Sequence, residues 1–141
     1  MSATDIELPT HETWPLRLFD SLTFRPFDRD APVADHIQVS TTADSRQHAE
    51  QTADVLVERR LAACVQIVGP IKSVYHWQGK IERGEEWFCV AKTRRALYDQ
   101  VEAAIREIHP HDEPEIIATE IVAGSRGYLD WIDRETADAR T

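Results

Sequence analysis

Apolar positions recur along this chain with two periods, and each change of period marks a change of element. His36-Ile37-Gln38-Val39-Ser40 alternates, which predicts a short strand with Ile37 and Val39 turned inward. Asp44-Ser45-Arg46-Gln47 follows with the spacing of a capping box, Asp44 accepting from the first turn and Gln47 reaching back. Ala49, Ala53, Leu56, Val57 and Arg60 then fall at helical spacing, so residues 44–60 are expected to form an amphipathic helix. A second helix is expected after Thr93 as its cap, with Leu97, Val101, Ala104, Ile105 and Ile108 on one face. His109-Pro110 ends it, because the residue before a proline is pushed out of the α region. Pro114 to Val122 reads as a last strand, Gly124-Ser125 as a turn, and Tyr128 to Thr136 as a short closing helix that can pack Tyr128, Leu129, Trp131 and Ile132.

Between the two helices, Leu61 to Lys92 is rich in β-branched and aromatic residues, which favour a pleated, half-buried surface. Two long strands fit. The break is placed at Glu82-Arg83-Gly84-Glu85, where Gly84 can take a positive φ, and Ile81 continues the alternation of Tyr75 and Trp77. Gln78-Gly79-Lys80 is a second candidate turn that periodicity does not exclude. Gly69-Pro70 interrupts the first strand, as a bulge or bend on an edge strand would. Trp77, Tyr75 and Trp87 near the tip are too much apolar surface for one small domain to cover, which points to a subunit interface.

The order strand, helix, strand, strand, helix, strand implies an α+β fold. It is the ferredoxin-like βαββαβ arrangement, an antiparallel sheet with both helices on one face, here followed by a short C-terminal helix. The opposite face then lacks helices, and packing against other copies is the economical way to cover it. Residues 1–34 differ from this domain of residues 35–141. They contain four prolines and no sustained period, yet Trp14, Leu16, Leu18, Phe19, Leu22, Phe24 and Phe27 are too apolar for a fully solvated tail. An irregular, partly packed N-terminal arm is expected there.

Composition narrows the function. A net charge of −9 argues against a nucleic-acid binder, which would carry a basic face for phosphates. No apolar run is long enough to cross a membrane, and no signal-peptide pattern opens the chain. Two cysteines, Cys64 and Cys89, are not a disulfide framework, and as buried thiols they fit a reducing, cytoplasmic setting. With the turn placed at Arg83-Gly84 they are not cross-strand partners. There is no Gly-x-Ser-x-Gly, His-Glu-x-x-His, glycine-rich phosphate loop or paired CxxC, so an ordinary hydrolase or nucleotide-dependent enzyme is not expected. An acylphosphatase-type enzyme on this fold would need an arginine cradle after the first strand, and Thr41-Thr42-Ala43-Asp44 offers none.

Five blocks in order carry a resemblance to a known family: Arg60 to Val65 (RLAACV), Ser73 to Ile81 (SVYHWQGKI), Lys92-Thr93, His109 to Ile117 (HPxxxPEII) and Tyr128 to Ile132 (YLDWI). The stretch from Asp35 to about Glu135 resembles the CutA divalent-cation-tolerance family. The resemblance implies a homotrimer of ferredoxin-like subunits, similar in shape to the PII signalling proteins, with a link to copper and other divalent metals and no obligatory cofactor. It also implies copper ligands at a cysteine closing the first strand and at a histidine pair before the loop proline. This chain has Ser40 and Ile108 at the cysteine and extra-histidine positions, so only His109 of that set remains.

The loop after the second helix supplies other donors. His109, His111, Asp112 and Glu113 place two imidazoles and two carboxylates within five positions, and imidazole suits copper and zinc. His36, His48 and His76 can contribute only across the fold or an interface. His109 could equally serve to close the helix C-terminus, with His111 in solvent. A second candidate is a cleft between subunits lined by Tyr75, Trp77, Lys92 and Glu86, which would make the protein a PII-like sensor of a small anion or metabolite, with Lys72 and Lys80 also available. The same aromatics can simply glue subunits together. Cys64 and Cys89 are expected to be structural.

Overall fold

In the computed structural model, residues 33–139 are described. They run β1 (His36–Ala43), α1 (Arg46–Glu58), β2 (Cys64–Trp77), β3 (Lys80–Arg94), a 3-10 turn (Arg95–Leu97), α2 (Tyr98–Ile108), β4 (Ile116–Glu120) and α3 (Arg126–Thr136). The expected arm, residues 1–34, lies outside the described residues except for Val33 and Ala34.

One four-stranded sheet has the order β2-β3-β1-β4, antiparallel throughout. That order and the βαββαβ succession are the ferredoxin-like arrangement. Alternation puts Ile37 and Val39 of β1 beside Ala91 and Thr93 of β3 on one face, where α1 and α2 cover them. Leu56 from α1 and Leu97, Val101, Ala104 and Ile105 from α2 complete this core. Leu56 and Ile105 are each 1% exposed, and truncating side chains so enclosed costs about 2–5 kcal/mol.

Both helix starts differ from the expected ones. Ser45, not Asp44, is the N-cap of α1, its hydroxyl accepting from the His48 N–H at 3.1 Å. Thr93 does not cap α2 at all. It remains in β3, fully buried, and donates its hydroxyl to the Leu61 carbonyl at 2.6 Å. The chain then needs the 3-10 turn to redirect it before α2 begins at Tyr98. β1 runs three residues beyond the alternating stretch, β4 is shorter than Pro114 to Val122, and α3 begins at Arg126.

The β2–β3 turn is at Gln78-Gly79, not at Glu82 to Glu85. Gln78 has φ +48° and Gly79 φ +77°, two left-handed residues in the two-residue loop that suits the twist of a hairpin. Gly84 sits within β3 opposite Ser73. The register slips between Val68 and Ile71, so Gly69-Pro70 is the irregularity expected on an edge strand. Trp87 lies directly against Gly69, leaving no room there for a Cβ. In this register Cys64 faces Lys92 and Cys89 faces Ile67, so the cysteines are not paired, although the turn that sets the register differs from the one expected.

β1 covers β3 only from Trp87 to Arg94. Among the described residues the outer ribbon, from Ile71 to Glu86, pairs only with itself and exposes Val74, Tyr75, Trp77 and Ile81. Contrary to the expectation of a helix-free face, the sheet face opposite α1 and α2 carries α3 across one end. Asp133 of α3 meets His36 at 2.8 Å, and Arg94 donates to the Thr136 hydroxyl at 2.8 Å and to its carbonyl at 2.7 Å. Near the other end of α3, Tyr128 Oη lies 3.5 Å from Cys64 Sγ. Helix packing against this face buries Ile132 and Thr136 completely. The part of the face that α3 leaves uncovered carries exposed Val68 and Ile117.

Candidate functional site

The C-terminal end of α2 brings together imidazoles that are far apart in sequence. His48 projects from the first turns of α1, His109 is the C-cap residue of α2, and His111 follows on the loop. The His48 and His109 rings stack with centroids 6.0 Å apart and planes inclined by 22°. His111 stands edge-on to His109 at 5.1 Å. Asp44 closes the row, its carboxylate 3.1 Å from His48 Nδ1.

Hydrogen bonds fix the first two rings. His48 Nε2 donates to the Ile108 carbonyl at 2.9 Å, which satisfies one of the last carbonyls of α2. Its two nitrogens both face oxygen atoms, the Asp44 carboxylate and the Ile108 carbonyl. His109 Nε2 donates to the Thr42 carbonyl at 2.9 Å, and its Nδ1 accepts the backbone N–H of His111 at 3.1 Å. His109 therefore ties the end of α2 to the end of β1. The His48 ring beside Asp44 holds that carboxyl below the usual carboxylate range, with a smaller contribution from His111.

The four loop residues expected as metal ligands do not act as one group. His109 is turned inward with both nitrogens engaged. Glu113 is turned to Arg106, at 3.1 Å, and the same guanidinium reaches the Asp112 carbonyl at 3.4 Å. The His111 ring and the Asp112 carboxylate make no hydrogen bond among the described residues. Among those residues no group of three or more His, Cys, Asp and Glu side chains is arranged to hold a metal ion. His48 and Asp44 are the members of this cluster that the loop motif did not announce. Their separation of four residues at the start of α1 is visible in the sequence, but the face it meets is not.

The residues expected in an inter-subunit cleft are spread along the ribbon. Lys92 is opposite Cys64, and Tyr75 lies eleven residues further along β2, roughly 35 Å away at the rise of a strand. Glu86 accepts the Ser73 hydroxyl, and the Lys92 ammonium donates to the Gln66 amide oxygen. Within one chain these four do not meet, so any site they share is formed between copies. Cys89 is enclosed and its thiol is pushed up to about 11 by burial, while Cys64 is half-buried; both are free. Burial therefore disfavours Cys89 as a thiolate ligand.

A separate groove of about 490 Å³ opens between β4 and the start of α2, with Ile37, Ala118, Tyr98 and Asp99 among its walls. It lies at the opposite end of β1 from the imidazole row.

Residues 37–135 match the family model described as CutA1 divalent ion tolerance protein. The "Divalent-cation tolerance protein CutA" of Thermus thermophilus is 39% identical over 98 residues, 70% of this chain and 95% of that protein. Its namesake from Archaeoglobus fulgidus is 41% identical with the same coverage. "Protein CutA, chloroplastic" of Arabidopsis thaliana is 38% identical over 100 residues, 71% of this chain but 55% of that protein. The chain thus spans nearly all of the first two relatives and about half the length of the plant one. Among solved structures, Thermus thermophilus Cut A1 superposes with a TM-score of 0.70 at 38% identity, covering 72% of this chain and 98% of that one. CutA1 from Shewanella sp. SIB1 gives 0.72 at 33% identity, covering 74% and 98%. The structure from Archaeoglobus fulgidus is described as periplasmic, so the compartments named for these relatives differ. No helix among the described residues is long and apolar enough to cross a membrane.

Proposed function

The chain belongs to the CutA1 divalent ion tolerance family, and from that premise we propose that it is a PII-like homotrimer that acts in divalent-cation tolerance by binding the cations themselves. The observation that carries this reading is the imidazole row of His48, His109 and His111 beside Asp44. Imidazole and carboxylate together suit Cu(II) and Zn(II). His111 and Asp112 are the open entry point, because their side chains are not committed to protein partners among the described residues. Capture beyond them has to displace the His111 N–H from His109 Nδ1 or Asp44 from His48, so binding is weak and reversible. Two free thiols, one fully enclosed, are compatible with a cytoplasmic setting.

Support for the trimer is the self-paired ribbon. A two-stranded hairpin is marginal in water by itself, and this one exposes Trp77 and Ile81 at 59% each. Other copies of the chain are the cover that a cyclic assembly supplies.

Isothermal titration of the full chain with Cu(II) and Zn(II), beside a His109→Ala/His111→Ala variant of unchanged oligomeric mass, tests the cation reading. Binding at micromolar concentration that is lost in the variant is expected. Binding that is absent, or unaffected by the substitutions, contradicts it. A second reading, a PII-like sensor of a small anion between subunits, is favoured by Lys92, a half-buried cation whose partner is the neutral Gln66 amide rather than a carboxylate. Thermal stabilisation by a metabolite that persists in chelator would select it over the cation reading.

A further inference from the structure

We draw no further inference here: the strongest candidate, the row of imidazoles that His48, His109 and His111 form beside Asp44 at the C-terminal end of α2, belongs to the site already described.

Discussion

Thr93 donates to the Leu61 carbonyl from a position with no solvent contact, and this bond joins β3 to the segment that leaves α1. Thr93→Val keeps the shape and removes the donor, leaving a buried carbonyl short of a partner. The expected loss is about 1–3 kcal/mol in a urea unfolding experiment with an unchanged m-value. The sequence did not disclose this role, since threonine before a helical pattern is also a good cap, and the choice depends on where the Leu61 carbonyl comes to rest. Asp44 is a similar case: beside Ser45, either side chain can cap, and Asp44 is drawn away by His48. Its carboxyl is held below the ordinary value of 3.8, chiefly by the His48 hydrogen bond. A depressed folded-state value means that the stabilisation is present above the unfolded value and is lost as pH falls through the folded one. Asp44→Asn should therefore flatten the acid limb of stability below about pH 4 relative to the parent, measured by urea unfolding from pH 5 to pH 3. Parallel curves would remove His48 as a meaningful partner.

At the scale of elements, alternation and helical spacing identify four strands and three helices, most directly where β1, α1 and α2 bury one face in the core. What they left open was the position of the hairpin turn. Gly79 and Gly84 both interrupt the ribbon, and the apolar alternation runs through Ile81, so periodicity favoured the later one. Backbone conformation decides for the earlier one: Gly79 has φ +77°, whereas Gly84 is an ordinary strand residue whose added Cβ would find Tyr75 Oη at 3.8 Å. Gly79→Ala is expected to cost roughly 1 kcal/mol through its left-handed φ, although nothing obstructs the new methyl. Gly84→Ala should stay within about 0.5 kcal/mol of the parent. The reverse ranking in chemical unfolding would put the turn at Gly84. The placement of α3 was also hidden. Its pattern shows an apolar side, but only the pairing of His36 with Arg94 across β1 and β3 creates the polar footing for Asp133 and Thr136 on the face opposite α1 and α2.

At the scale of the whole molecule, the described residues leave two surfaces incomplete. Among them the ribbon beyond Trp87 has no third strand, and the part of the sheet that α3 does not cover shows Val68 and Ile117 to solvent. Those surfaces were foreseeable, because a hairpin of 14 and 15 residues far exceeds the usual strand of about five or six. The loop proposed for metal is less legible than the fold. Its residues form a donor-rich run, but a run in sequence does not say where side chains point, and His109 and Glu113 are engaged by Thr42 and Arg106. Replacing Trp77 and Ile81 together by Ser should preserve the helix-covered core, which neither residue joins, while weakening association between copies. Analytical ultracentrifugation of that variant should show dissociation at concentrations where the parent remains associated, with far-UV circular dichroism nearly unchanged.

The proposed trimer is the premise of the inter-subunit reading, whose residues do not meet within one chain, and the exposed ribbon is what supports it. Light scattering on the full chain at low micromolar concentration is the most direct measurement. The expected mass is three times the 16.1 kDa of one chain. A monodisperse species of 16.1 kDa, with the ribbon left in water, would contradict the account.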